Sequence, residues 1–271
     1  MIDALAGLKP GLFLCTPQRK PRVGISSCLL GENVRYNGKS KTHPLIRHHL
    51  GDVFRLEAFC PEITAGLGTP RPPVQLVKSE EGVKAQGVDN KSIDITSTLI
   101  QTSKNYMRNK PDISAYIFKA RSPSCGYGTA ALFDDNGRTL ATTNGLFADA
   151  IEKNFPDCLL VDESFFSCKN ACLLFIFFCY LLDEAKMLQY APHYSLNAKT
   201  TSKTPDDFLK HYDWLWEILV PEDKPKPQST NPNFSRNETK TANPIHRVIM
   251  AFNHARNASQ LSGQLIDRIN Q

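Results

Sequence analysis

Three short apolar runs in the first half of the chain each lead into a cysteine. The runs and the cysteines that follow them are residues 23–27 with Cys28, residues 53–59 with Cys60, and residues 115–118 with Cys125. Runs of this length, bounded by turn-forming residues, predict β-strands. In an open parallel sheet, ligands bind in the crevice beyond the carboxyl ends of the strands. The sequence therefore predicts a pocket in which three thiols from distant segments meet.

Strand-like and helix-like segments alternate around these runs, which favours a parallel sheet with helices on both faces. The predicted sheet strands are residues 23–27, 53–59, 115–118 and 158–161, and the predicted helices are residues 43–50, 95–108 and 146–154. Two further pairs of β-rich segments follow. Residues 74–77 with 83–88 predict a hairpin or a lid beside the pocket, and residues 130–133 with 139–142 predict a hairpin around Asn136-Gly137. We therefore predict an α/β fold class: a parallel-sheet, Rossmann-like three-layer domain followed by an α-helical C-terminal extension.

At 271 residues the chain is long for a single domain. We predict an irregular leader over residues 1–20, the α/β domain over residues 21–163, and the helical extension over residues 164–271. In the extension, residues 167–190 predict a long buried helix, and the Pro- and Lys-rich residues 221–232 predict a linker. The helix would carry Cys168, Cys172 and Cys179 along one face, and their apolar neighbours favour core packing over a metal site.

The composition limits where in the cell the protein is expected and which partners it is expected to have. We expect a cytoplasmic protein, because no basic segment precedes an apolar run at the start and the longest apolar run, residues 171–182, is too short to span a bilayer. In the reducing cytoplasm, the eight cysteines argue against disulfides and for metal binding, catalysis or simple burial. The net charge of +5 is too small to identify a partner. We expect neither a membrane nor a nucleic acid as partner.

Three thiolates are soft ligands, which select zinc, copper(I) or an iron–sulfur cluster. Structural zinc sites commonly use paired cysteines at C-x2-C spacing, and none of the three cysteines has a cysteine partner at that spacing. Ligands at the ends of separate strands favour an assembled active site. Three cysteines also leave one position of a cubane cluster open for a substrate.

Three motifs around these cysteines resemble the thiouracil desulfidase family. They are Gly24–Gly31 with Val34–Gly38, Cys60-Pro61-Glu62 with Gly66–Arg71, and Lys119–Gly126. The resemblance covers about residues 21–163. It implies a 4Fe-4S cluster held by Cys28, Cys60 and Cys125, with the fourth iron open. It also implies a small-molecule substrate, a thiolated pyrimidine base or nucleotide such as thiouracil, and a reaction that removes its sulfur as hydrogen sulfide with no net electron transfer.

Adding water to such a base requires proton transfers, so we expect a carboxylate and a hydroxyl beside the pocket. Glu62 and Ser122 are the catalytic candidates, although Glu62 could equally be a first-turn helix acid and Ser122 a turn or cap hydroxyl. The candidates for substrate binding are Ser124, Lys119, Arg35 and Arg71. The three cations could orient an anionic base or a nucleotide phosphate, and the alternative is that they are ordinary surface residues.

Two other functions remain open at this point. The first is a non-catalytic metal or iron–sulfur binding module, associated with RNA through the basic residues of the last predicted helix, residues 244–270. The second is catalysis by a cysteine nucleophile without a metal, which is weaker because no histidine base can be assigned from the sequence. The oligomeric state is left open.

Overall fold

The computed structural model describes residues 12–14, 17, 19–109, 112–190, 203–219, 243–257 and 259–270. These residues divide into two compact units. One unit is Arg22–Lys169, and the other combines the described residues of Met1–Pro21 with those of Asn170–Gln271. The predicted linker at residues 221–232 and most of the predicted leader lie outside the described residues, and the predicted domain boundaries stay a prediction.

The strands of the described residues all belong to the first unit. In chain order they are β1 (Arg22–Ser26), β2 (Arg55–Phe59), β3 (Val74–Ser79), β4 (Gly82–Gly87), β5 (Ala115–Phe118), β6 (Ala130–Phe133), β7 (Thr139–Thr143) and β8 (Leu159–Asp162). They form two four-stranded sheets.

The first sheet is parallel throughout and has the strand order β2-β1-β5-β8. Chain order along this sheet reverses between β1 and β5, which is the topological switch point where α/β sheets bind ligands. All four residues of β5 and of β8 are buried, as are the last four of β1. This burial explains why these strands are continuous apolar runs in the sequence.

The second sheet has the order β4-β3-β6-β7. Both predicted hairpins are confirmed, since β3 pairs with β4 and β6 with β7 in antiparallel fashion. A parallel pairing of β3 with β6 joins the hairpins into one sheet. The sequence did not predict this pairing, because nothing local to either hairpin specifies it.

The helices of the first unit are short. They are α1 (Pro44–His49), α2 (Pro61–Thr64), α3 (Thr96–Arg108) and α4 (Leu146–Asn154), with a 3-10 helix at Ser27–Leu30 and another at Glu163–Phe165. Helices α3 and α4 pack on each other, and their aromatic and aliphatic side chains form one buried cluster with β5 and β8. The predicted α/β class, a parallel sheet combined with helices, is confirmed.

The second unit is helical in its described residues. Its helices are α5 (Lys169–Tyr190), α6 (Pro205–His211), α7 (Asp213–Leu219), α8 (Pro244–Asn257) and α9 (Ser259–Asn270). The predicted long buried helix is α5, in which Cys172 and Cys179 are buried among apolar residues. Cys168 differs from the prediction, because it precedes the helix and is exposed.

Part of the leader is attached to this helical unit. Arg19 pairs with Asp183 of α5, with 2.9 Å between Nη2 and Oδ1. The backbone N–H of Leu14 donates to the Tyr212 hydroxyl at 3.2 Å, and Tyr212 in turn donates to Glu184. Among the described helices, none has the length and apolar character to cross a membrane.

Candidate active site

The three cysteines of the sequence motifs follow three neighbouring strands. Cys28 lies in the 3-10 helix after β1, Cys60 is the residue between β2 and α2, and Cys125 lies in the loop after β5. Since β2, β1 and β5 are adjacent and parallel, all three residues emerge at the same edge of the sheet. Cys28 and Cys125 are buried and Cys60 is half-buried.

The three thiols influence one another electrostatically. Burial is the largest cause of a raised pKa for each of them, and it brings the pKa of Cys28 to about 11. A charge on Cys60 raises the pKa of both Cys28 and Cys125, and a charge on Cys28 raises that of Cys125. The raised pKa values hold the thiols neutral unless a cation compensates their charge.

Within the described ranges, no three His, Cys, Asp or Glu side chains are grouped so that they could hold one metal ion. A cubane cluster makes a different demand, because each cysteine then binds a different iron atom.

The loop that carries Cys125 is fixed by its own serine. The Ser122 hydroxyl accepts the backbone N–H groups of Ser124 and Cys125 at 3.2 and 3.1 Å. The backbone N–H of Gly126 donates to the Ser122 carbonyl at 2.8 Å. Ser122 thus fills the cap position that the sequence left as its alternative role, and its hydroxyl still lies within the turn that presents Cys125.

The same loop packs against the start of α4. The backbone N–H of Phe147 donates to the Ser124 carbonyl at 2.9 Å, and that of Gly145 donates to the Gly126 carbonyl at 2.7 Å. A Cβ atom at Gly145 would lie 2.5 Å from the carbonyl carbon of Ser124. Glycine is therefore required at this position for the Cys125 loop and the helix to approach each other.

Glu62 is the centre of a buried polar network. Its Oε1 accepts the Ser124 hydroxyl at 2.8 Å, and its Oε2 accepts Nε of Arg71 at 2.8 Å as well as Nη2. The third guanidinium nitrogen of Arg71 donates to the Gly68 carbonyl at 2.8 Å. The Arg71 and Glu62 side chains are only 7% and 11% exposed. This network ties together the motifs around Cys60 and Cys125, and it directs Arg71 toward Glu62.

Lys119 is paired with a carboxylate that the sequence analysis did not select. Its ammonium donates to Glu163 and to the Ala120 carbonyl, and the backbone N–H of Ala120 donates to the other Glu163 oxygen. The Lys119 backbone N–H donates to the Ser26 hydroxyl at 3.0 Å. The positive charge of Lys119 lowers the pKa of Cys28 against the effect of burial.

Glu163 and Ser26, which were not predicted as site residues, both lie at strand ends. Glu163 directly follows β8, the fourth strand of the parallel sheet, and Ser26 is the last residue of β1. A hydrogen bond with Ser26 lowers the pKa of Cys125. The rule that selected the three cysteines would also have selected Glu163, had it been applied to the fourth predicted strand.

Arg35 lies beside the site without a carboxylate partner among the described residues. It is half-buried, and its guanidinium carbon is 5.8 Å from the centre of the Tyr36 ring. Its charge lowers the pKa of Cys28. Of the three predicted substrate-binding cations, Arg71 is paired with the buried Glu62 and Lys119 with the half-buried Glu163, so Arg35 presents the least compensated positive charge.

The fold and the site together define a class of protein: an α/β protein whose parallel sheet gathers three cysteines, two of them buried, and a buried carboxylate network at its carboxyl edge. The chain belongs to the 2-thiouracil desulfurase family, whose sequence profile matches residues 23–163, just over half of the chain.

The chain is also similar to two individual proteins. The chain is 34% identical over 110 residues to the uncharacterised protein YbbK of Bacillus subtilis (strain 168), covering 38% of this chain and 72% of YbbK. A solved structure described as the [4Fe-4S]-dependent thiouracil desulfidase TudS is 28% identical, with a TM-score of 0.42. The match covers 54% of this chain and 93% of that one.

Proposed function

We propose that the protein is an iron–sulfur-dependent desulfidase that removes sulfur as hydrogen sulfide from a thiolated pyrimidine base or nucleotide, such as thiouracil. No net electron transfer is required, because water replaces the sulfur without changing the oxidation state of the ring carbon. The observation that carries this proposal is the position of three cysteines after three adjacent parallel strands, inside the segment that matches the desulfurase family. The cytoplasmic location expected from the sequence is part of the same proposal.

The side chains at this edge of the sheet suit a 4Fe-4S cluster held by Cys28, Cys60 and Cys125, with one iron free of a protein ligand. The donors are soft, they are largely shielded from water, and their raised pKa values mean that a cationic group must compensate their ionisation. When bound, the cluster would supply a soft Lewis acid that accepts a sulfur donor and stabilises a departing hydrosulfide.

Proton transfer is assigned to the network around Glu62. Its Oε1 accepts the Ser124 hydroxyl, and a serine hydroxyl can take a proton from water on one lone pair while passing its own proton to a carboxylate. Arg71 holds the other oxygen of Glu62 and thereby fixes the direction of the carboxylate. In this arrangement Glu62 is the proton acceptor, Ser124 relays the proton, and Ser122 is a hydroxyl donor to the substrate.

Substrate orientation is assigned to the cations. Lys119 is held by Glu163 and Arg35 has no carboxylate partner among the described residues, so Arg35 is the better candidate to receive an anionic base or a phosphate. Lys119 would then serve mainly to place a positive charge beside Cys28.

The test begins with anaerobic purification and analysis of iron, zinc and acid-labile sulfide. We expect iron and sulfide each near four per chain, the stoichiometry of a cubane cluster, and sulfide release from thiouracil. Cys125→Ala should lose both the cluster and the activity. Cys158→Ala is the matched control, because Cys158 is a buried thiol of the same unit that does not belong to the three motifs.

The opposite results would decide against the proposal. Stoichiometric zinc without sulfide release, or RNA binding that survives Cys125→Ala, would point instead to the non-catalytic binding module. Activity that persists in Cys125→Ala would remove this cysteine from the site.

A further inference from the structure

Two buried tyrosine hydroxyls in the α/β unit lack a hydrogen-bond partner among the described residues. They belong to Tyr106 of α3 and Tyr116 of β5. Buried polar groups without a partner are rare, because each costs free energy that a folded protein must offset elsewhere. Tyr116 is the more unusual of the two, since its whole side chain is shielded from solvent.

The packing around Tyr116 holds its ring in one place. The ring lies across β1 at Gly24, where a Cβ atom would be 2.6 Å from the ring carbon Cε2. It stacks on Phe118, with 4.4 Å between ring centres, and meets the edge of Phe147 at 5.5 Å. Any side chain at Gly24 would displace this ring, so the missing hydrogen bond is not a consequence of loose packing.

Tyr116 also belongs to the same buried cluster as Cys125. After burial and the effect of Tyr106, charges on Cys125, Cys60 and Cys28 all raise the pKa of Tyr116. The pKa of Tyr106 responds to Cys158, Glu57 and Arg22, and not to any of the three motif cysteines. The position of Tyr116 in the fold agrees with this, because β5 leads into the loop of Cys125 and the Tyr116 ring covers Gly24 of β1, the strand that leads to Cys28. Tyr106 lies on α3 and not on a strand that leads to one of these cysteines.

We propose that the Tyr116 hydroxyl donates a hydrogen bond to a sulfur atom of the cluster held by Cys28, Cys60 and Cys125. The inference rests on the proposed function for the identity of that cluster. Hydrogen bonds to the sulfur atoms of an iron–sulfur cluster withdraw electron density and raise its reduction potential. Tyr116 is thus a positioning residue that makes the open iron a stronger Lewis acid.

The experiment compares Tyr116→Phe with Tyr106→Phe in the anaerobically prepared full-length protein. Each substitution removes one unpartnered hydroxyl from the same aromatic cluster and leaves the ring in place. The midpoint potential is measured by redox titration monitored by electron paramagnetic resonance. We expect a more negative potential for Tyr116→Phe and an unchanged potential for Tyr106→Phe.

Thermal unfolding without the cluster supplies the folding control. The Tyr116→Phe melting temperature should equal or exceed that of the unchanged protein, because an unpaired buried hydroxyl has been removed. The increase in melting temperature on loading the cluster should then be smaller in Tyr116→Phe than in the unchanged protein.

Three results would overturn the inference. If Tyr116→Phe has full iron and sulfide content and an unchanged midpoint potential, the Tyr116 hydroxyl does not donate to the cluster. The proposed function would not be affected by that result. Equal shifts of the midpoint potential in Tyr116→Phe and Tyr106→Phe would show that the effect is not specific to the Tyr116 hydroxyl. Failure of the unchanged protein to take up iron and sulfide would sink the proposed function and this inference together, and metal analysis identifies that case.

Discussion

Replacing Gly145 by alanine should push the Cys125 loop out of place. The φ and ψ angles of Gly145, −63° and 154°, are open to any residue, so the substitution strains no backbone angle. The new Cβ atom would lie 2.5 Å from the Ser124 carbonyl carbon, 2.6 Å from its oxygen and 2.8 Å from the Cys125 nitrogen. Ordinary contact begins at 3.4 Å, so the loop must retreat by about 0.9 Å, the difference between 3.4 and 2.5 Å. All three atoms are backbone and cannot swing away.

The size of the effect follows from this displacement. Overpacking of a tightly packed site costs about 1–3 kcal/mol, which lowers the folding equilibrium constant of the α/β unit by roughly 5- to 150-fold. The displacement also moves the Cys125 thiol relative to Cys28 and Cys60. A misplacement of about 1 Å can reduce a catalytic rate by roughly 100-fold, so we expect lower iron retention and a larger loss of sulfide release than the stability change alone explains.

Urea unfolding followed by far-ultraviolet circular dichroism measures the stability, and metal analysis measures the iron. Gly263→Ala is the matched control, because its Cβ would meet nothing within 4 Å in the interior of α9. That substitution should stabilise the helical unit by about 0.5–1 kcal/mol. If Gly145→Ala unfolds at the same urea concentration as the unchanged protein and keeps its iron, the reasoning about this close approach is wrong.

Three further predictions concern charged groups. Glu62→Ala should destabilise the protein by about 3–5 kcal/mol in chemical denaturation, because it leaves the buried Arg71 guanidinium without its carboxylate; adding Arg71→Met should recover part of this loss, and purely additive effects would refute the coupling. Burial lowers the pKa of His43 below 6.5, although the charge of Glu163 opposes this shift. The stability that neutral His43 contributes is therefore present above pH 6.5 and is lost as the pH falls through the folded-state pKa. Titration of the His43 ring followed by nuclear magnetic resonance should have its midpoint below pH 6.5, and at a lower pH still in Glu163→Gln. A midpoint at or above pH 6.5 would contradict this prediction. Arg19→Ala breaks the half-exposed ion pair with Asp183 of α5 and should lower the free energy of unfolding by only about 0.2–1 kcal/mol. Denaturant unfolding measures this change, and a larger decrease would contradict the prediction.

Local sequence patterns were sufficient to predict the strands of the parallel sheet. The predicted strand at residues 115–118 matches β5 residue for residue, and the predicted helix at residues 146–154 matches α4. These elements could be predicted because a strand buried on both faces must be apolar throughout, and an amphipathic helix shows its period in the sequence. The placement of three cysteines at one sheet edge followed from strand direction alone.

The contacts within the site could not be predicted in the same way. Glu62 and Ser124 are 62 positions apart, and Lys119 and Glu163 are 44 apart. No periodicity connects such pairs, because they depend on how the loops after different strands meet in space. The missing hydrogen bond of Tyr116 is still less visible in a sequence, where an aromatic residue in a strand indicates only a buried core.

The separation of the three cysteines along the chain has a consequence for how the protein acquires any group they hold. No short fragment contains two of them, so an unfolded chain offers isolated thiols and little affinity, in contrast to metal-binding peptides whose ligands lie within a single turn or hairpin. The sheet must assemble first, and pairing strands that are distant in sequence is slow. The apoprotein therefore has to be stable on its own, and the aromatic cluster beneath the site provides that independence. Maturation of this protein is then a late event, performed on a finished scaffold.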